Sequence, residues 1–278
     1  MFAKTVAANF FTDLSSYATE GGDIFHIPDA YTNELSVQTQ STQGTEITSE
    51  SVLSVDVTLT INLHKYVAMV FGDLTLQQIA AKYSMTEVYT RQAANVLKDA
   101  LEDSIFGLWS SVSTNTVGDT ATVLNDAEIR GAIEKLDTLN YDINELAFFI
   151  HPYVFWQQLA AISKYYDASI AGAQSFIRAG NFGPMDWSRG LRGSLYGIPI
   201  YLSSNVVSGL QTYRNLLAHP SALGFAIQTR GGSRVSVKTT YENRNLATLT
   251  TVSIIYGVAA LREKAACLLN ASSAFIGS

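Results

Sequence analysis

The sequence predicts an α+β fold with an extended β-hairpin near its start, and three observations carry that reading. Apolar and polar residues alternate from Val52 to Leu63, which requires a long strand. Ser84-Met85-Thr86-Glu87 has the form of a capping box and opens one amphipathic helix of about 26 residues, roughly 40 Å long. Short apolar runs punctuated by Gly, Pro and Asn then supply the strands of the sheets. At 278 residues and 47% hydrophobic content the chain can bury a sizeable core.

The elements follow in order. Residues 1–28 mix apolar and small polar residues, end in Gly21-Gly22 and Pro28, and read as an arm outside the core. Glu34 to Thr42, with a turn near Gln43-Gly44, is the expected partner of the 52–63 strand. Such a Thr- and Gln-rich ribbon is marginal alone in water and should rest on another surface, most naturally another subunit. Along the long helix Val96, Leu97, Ala100, Leu101, Ile105, Leu108 and Trp109 form the apolar stripe, with Arg91, Lys98, Asp99, Glu102 and Asp103 on the polar side. A Gly118-Asp119 turn precedes a second helix, capped by Asn125-Asp126 and running to about Leu139. Leu146 to Ile150 is a strand. His151-Pro152 ends it and opens a helix from Tyr153 to Lys164 that buries Phe155, Trp156, Leu159 and Ile162. Residues 168–194 read as loop. Strands follow at 196–202, at 216–228 with a turn near Ser221, at 234–238, at 246–261 and at 265–270.

Charge is segregated along the chain. Between Thr5 and His64 there is no Lys or Arg, against Asp13, Glu20, Asp23, Asp29, Glu34, Glu46, Glu50 and Asp56. From Lys164 to Lys264 the excess is basic, with Arg178, Arg189 and Arg192 in the glycine-rich loop that also carries Trp187. Complementary potentials of this kind suit self-assembly, the arm and hairpin of one copy lying on the body of the next. An ordinary acidic half with solvated charges has the same composition. The inter-subunit contact candidates are Glu34, Glu46, Glu50, Arg178, Arg189, Arg192 and Trp187. The net charge of −6 excludes wholesale coating of nucleic acid. The lone Cys267 cannot form an intrachain disulfide and fits a reducing cytoplasm. Neither a signal peptide nor a stretch of about 20 apolar residues is apparent, so no membrane association is expected.

No convergent chemistry is legible. His26, His64, His151 and His219 are scattered without metal-ligand spacing, Cys267 sits in an apolar strand, and Gly190–Gly193 and Gly231-Gly232 match no phosphate-binding pattern. The expectation is a protein that is not an enzyme, with no catalytic residue, cofactor or metal; a small soluble hydrolase or binding domain is the contrasting alternative.

Four blocks in order carry a family likeness: Phe149-Ile150-His151-Pro152 before a helix; Leu195-Tyr196-Gly197-Ile198-Pro199-Ile200; Leu217-Ala218-His219-Pro220 continuing through Ser221-Ala222-Leu223-Gly224-Phe225-Ala226; and Tyr256-Gly257-Val258-Ala259-Ala260-Leu261-Arg262 leading to Ala265–Leu269. Preceded by an arm, a hairpin and a long helix, the chain resembles the major capsid proteins of tailed double-stranded DNA bacteriophages, the HK97-type fold, over nearly its whole length. The resemblance implies an N-terminal arm (1–28), an extended loop (29–64), a peripheral domain (65–122 and 236–278) built on the long spine helix, and an axial domain (123–235). It implies hexamers and pentamers in an icosahedral shell around packaged DNA, assembly in a host cytoplasm, and a portal, a scaffolding protein and a decoration protein as partners. Some relatives crosslink an extended-loop Lys to a neighbour's Asn; residues 5–64 contain no Lys, so that crosslink is not expected. The chain also lacks a long charged N-terminal helical segment, which leads to the expectation of a separate scaffolding protein. Within the same fold, an encapsulin-like cellular compartment is the alternative.

Overall fold

The computed structural model describes residues 6–18, 24–29, 55–72, 85–112, 114–160, 162, 191–206, 212–229 and 233–273. The chain opens with one helical turn, α1 (Ala7–Phe10), and the strands β1 (Thr12–Asp13), β2 (Ile24–Asp29), β3 (Val55–Thr60) and β4 (Leu63–Gly72). The long helix α2 (Met85–Gly107) has 23 residues, about 35 Å, and tightens into a 3-10 turn at Leu108–Ser111. β5 (Thr116–Val117), α3 (Asp126–Thr138), β6 (Ala147–Ile150) and the short α4 (Pro152–Val154) follow. The rest is strand: β7 (Leu191–Leu195), β8 (Ile198–Leu202), β9 (Thr212–Ala218), β10 (Leu223–Ile227), β11 (Ser236–Glu242), β12 (Ala247–Ala260) and β13 (Ala266–Ser272).

Continuous apolar runs mark strands buried on both faces, and one sheet consists largely of them. Its order is β5-β13-β9-β6-β8-β7. Alternate residues of β6 point to opposite sides: Ala147 and Phe149 join a core shared with α2, while Phe148 and Ile150 join a second core shared with α3. β13 divides the same way, with Ala266 and Leu268 on the first side and Cys267, Leu269 and Ala271 on the second. Asn215 on β9 is fully buried yet satisfied, accepting the His151 N–H at 2.9 Å and donating to the Leu269 carbonyl at 3.3 Å. Helix α3 starts on a full capping box in which the Asn125 side chain accepts the Glu128 N–H and the Glu128 carboxylate accepts the Asn125 N–H, both at 3.0 Å.

The second sheet is organised by β12. Its first half pairs with β11 on one side and β4 on the other, and its second half pairs with β10, which carries β1 at its edge. Val252, Ile254 and Tyr256 of β12 face α2, where the Tyr256 hydroxyl reaches the Ala100 carbonyl at 3.1 Å.

Several expectations need correction. The first 28 residues are not outside the core: Val6, Ala7 and Phe11 are buried in it, β1 pairs with β10, and β2 pairs with β3. β3 pairs with residues 24–29, where Phe25 and Ile27 supply an apolar face that packs with Leu59 and Ile61. Residues 34–42, the Gln43-Gly44 turn and the Ser84 cap lie outside the described residues. The strand expected to continue to Leu63 stops at Thr60, and Leu63 begins β4, a ten-residue strand with no counterpart in the sequence reading. Val96 is half exposed and Glu102 fully buried, the reverse of their assigned sides, since the buried arc of α2 is turned toward Glu102 and Phe106 to receive α1. The helix after His151 winds into a π-turn at Phe155–Leu159, closed by the Ala160 N–H on the Phe155 carbonyl, and this carries Trp156 out to 56% exposure. Residues 191–195 are strand, not loop, and 216–228 is two strands in different sheets separated by a turn at 219–222.

Candidate inter-subunit surfaces

The base of the extended hairpin is fixed by a close backbone approach. A Cβ on Gly257 would stand 2.3 Å from the Thr60 carbonyl oxygen and 3.0 Å from Ile61 Cα, so only glycine lets β12 pass under the end of β3. Around this crossing Ala18, Leu59, Ile61 and Ala226 form a small separate core, joined by Phe25 and Ile27. The contact candidates Glu34, Glu46, Glu50, Arg178, Arg189 and Trp187 lie outside the described residues. Arg192 is placed, within β7 at the free edge of the six-stranded sheet, where a register irregularity interrupts pairing between Leu191 and Gly193.

The bare apolar surface lies elsewhere, on the ribbon made by β4, β12 and β11. Because Val252, Ile254 and Tyr256 face α2, the alternate residues face away from it, and there β4 presents Tyr66 and Val70 at 66% and 61% exposure. Val237 and Tyr241 of β11 are about half exposed but lie on the other face of the ribbon, across from Val252 and Thr248, and α2 leaves Val88 and Val96 exposed on its outer side. At the hairpin tip Leu246 is exposed and held at φ +42°, a left-handed conformation unusual for a branched residue. The tip is tied by Asn245, whose N–H reaches the Glu242 carbonyl at 3.1 Å and whose amide reaches the Glu242 carboxylate at 2.8 Å. Periodicity could not single these residues out, since alternation marks a strand face without saying what covers it.

The polar clusters are structural in geometry. His219 Nδ1 accepts the Ser221 N–H at 3.2 Å and lies 2.8 Å from the Ser221 hydroxyl, while Nε2 is 2.7 Å from Glu145. Accepting a backbone N–H requires a bare Nδ1, so the ring hydrogen sits on Nε2 and is donated to Glu145. Ser, His and carboxylate are thus present but lock the turn between β9 and β10. His151 caps α4 through Nδ1, stacks on Tyr213 at 4.3 Å, and is shifted toward its neutral form by burial. Burial pushes the Cys267 thiol up to about 11 despite the charge of Lys135, which removes the thiolate a nucleophile needs. Burial also raises Asp13, but hydrogen bonds from Ser15 and the Arg234 guanidinium at 3.0 Å outweigh it, leaving an ionised pin between β1 and the entry to β11. Among the described residues no three His, Cys, Asp or Glu side chains gather as metal ligands, and no helix is long and apolar enough to cross a membrane.

Neither a family model nor a curated protein sequence matches this chain. Its structure matches solved ones along nearly its full length. A structure from Mycobacterium phage Che8 superposes with a TM-score of 0.74 at 19% identity, covering 97% of this chain and 92% of that one. The mature capsid of bacteriophage PhiM1 gives 0.67 at 15% identity, with 95% and 86% covered. The SrpI encapsulin of Synechococcus elongatus PCC 7942 gives 0.66 at 12% identity, with 97% and 89% covered. The chain has the HK97-type capsid fold, as the order of its sequence blocks implied.

Proposed function

We propose that this protein is the major capsid protein of a tailed bacteriophage, a structural subunit that assembles by itself into hexamers and pentamers of an icosahedral head and has no catalytic role. The observation that carries the reading is the full-length match to shell proteins, in which 86% to 92% of the phage chains is covered as well. The apolar residues that β4, β11 and α2 leave exposed among the described residues support it. On this reading the 29–64 loop reaches neighbours, the region around α2 and β12 is peripheral, and residues 123–235 are axial. The acidic loop, through Glu34, Glu46 and Glu50, docks on the basic stretch of a neighbour carrying Arg178, Arg189, Arg192 and Trp187. A portal, a scaffolding protein and a decoration protein are its proposed partners, assembly takes place in the host cytoplasm, and DNA is enclosed without sequence-specific contact.

The test is expression of the chain alone, then with its neighbouring genes, and electron microscopy of the product. Closed shells or regular tubes are expected; a species that stays small under both conditions would overturn the assignment. Arg178→Glu, Arg189→Glu and Arg192→Glu are expected to cut particle yield several-fold while leaving a folded subunit, and normal yield from all three would refute the docking. The match to an encapsulin favours a second reading, a cellular compartment with the same shell. Particles purified from the native source distinguish the two, phage heads containing DNA and compartments containing a protein cargo.

A further inference from the structure

Among the described residues β11 has a strand on one side only. It ends the path β1-β10-β12-β11, and its seven residues pair with β12 one for one from Ser236 opposite Ser253 to Glu242 opposite Ala247. The edge strand β7, by contrast, is interrupted between Leu191 and Gly193. Val237 to Tyr241 are exposed in unbroken succession. A regular edge of this kind turns a row of backbone N–H and C=O groups outward, which is a template for a further strand. Lys238, Thr240 and Glu242 lie opposite Thr251, Leu249 and Ala247, on the face turned away from α2. Four residues separate Lys238 from Glu242, about 13 Å along the strand, so the two cannot pair with each other. Neither has an ion-pair partner among the described residues, and Glu242 accepts only the Asn245 amide and holds the turn beside it.

We infer that β11 pairs with the β11 of a second copy of this chain, antiparallel, about a two-fold axis at Thr240. The stretch Lys238-Thr239-Thr240-Tyr241-Glu242 is self-complementary in that register. Lys238 stands opposite Glu242 of the partner subunit, and the two-fold repeats the pair at the other end. Thr239 stands opposite Tyr241 of the partner subunit, and Thr240 opposite its own counterpart. Opposite charges, a β-branched residue facing an aromatic one, and Thr facing Thr are the cross-strand neighbours that stabilise an antiparallel pair. Moving the axis by two residues sets Lys238 against Lys238 in one direction and Glu242 against Glu242 in the other, so charge selects the register. The contact is isologous: both copies spend the same edge, and none is left to recruit a third. So short a pairing is weak alone and gains from a symmetric shell that presents many copies at once. As a shell contact it rests on the assembly reading above; the pairing of two chains does not.

Disulfide trapping in the full chain tests this. Cα atoms directly opposite in an antiparallel pair are about 4.5–5.5 Å apart, inside the range a disulfide spans. The natural Cys267 is buried and does not compete. Mild oxidation of Thr240→Cys should give a dimer linked from residue 240 to residue 240, both in particles and in the concentrated unassembled chain. Ser236→Cys, whose two copies would lie roughly 27 Å apart across the same axis, should give none. Added to Thr240→Cys, Lys238→Glu should lower the dimer yield several-fold, and Glu242→Lys on top of it should restore the yield by rebuilding both pairs with their signs exchanged. Absence of the link in particles, or in the concentrated chain where no particles form, would overturn the pairing. So would a Ser236→Cys dimer of equal yield, or a yield that ignores the charge exchange. Shells without the link remove this contact and leave the capsid reading standing, whereas a linked dimer from a chain that never forms shells does the reverse.

Discussion

The six-stranded sheet and the β4-β12-β11 ribbon use similar strands to different ends. In the first, every residue of β6 and the Ala266–Leu269 run of β13 are buried, because α2 with the neighbouring sheet covers one face and α3 the other. In the second, α2 packs on one face, and the opposite face, which β3 crosses at Gly257, leaves Tyr66 and Val70 exposed. The contrast separates the part of the molecule that is covered on both faces from the part that leaves apolar area exposed, which the proposed assembly would cover. It also assigns consequences: substitutions in the sheet should act on the subunit, and substitutions on the ribbon should act on assembly.

The comparison is most easily broken at Phe149. Its ring has no exposure and meets Phe10, Phe11, Phe106, Trp109 and Tyr201 within 6.3 Å. Phe149→Ala should cost about 3–5 kcal/mol of subunit stability, read as a fall in denaturation midpoint of the unassembled chain. A loss below about 1 kcal/mol would mean that the sheet is not the self-sufficient region. Gly257→Ala should come next, at about 1–3 kcal/mol, because the added methyl forces Thr60 and Ile61 off β12. Its effect should be concentrated in β2 and β3, and exchange protection lost there while β6 keeps its own would sharpen the division.

How much was legible follows the same line. Strands buried on both faces announce themselves as apolar runs, and so β6 and β13 stand close to where composition placed them, while β8 and β12 were placed by their apolar alternation. β4 was not placed, since the exposed His64, Lys65 and Tyr66 dilute the pattern that Val67, Met69 and Phe71 would otherwise make. Glu102 was unreadable for a different reason. A glutamate on an amphipathic helix is normally solvated, and only the return of residues 7 and 8 from 94 or more positions away supplies the N–H groups that make its burial tolerable. Trp156 was misassigned because a π-turn shifts the phase of the helix, and no spacing of side chains records that in advance. Of the contact candidates, charge alone nominated the residues, and charge says which surfaces attract without fixing where they sit.

The smallest effect expected is also the most discriminating, because its two readouts have opposite signs. Leu246 holds φ +42° at the tip of the β11–β12 hairpin, with Asn245 and Glu242 fixing the turn around it. A left-handed conformation costs a branched residue roughly 1–2 kcal/mol, which glycine does not incur, while glycine adds about 0.5–1 kcal/mol of unfolded-chain entropy. Leu246→Gly should therefore stabilise the isolated subunit by up to about 1 kcal/mol. On the shell the same change should be unfavourable, since it deletes an apolar side chain 65% exposed in the subunit, at the end of the uncovered ribbon. A higher melting temperature together with fewer or less stable particles would show strain retained for contact with a neighbour. A higher melting temperature with undiminished assembly would assign the strain to the turn alone and remove the tip from the contact surface.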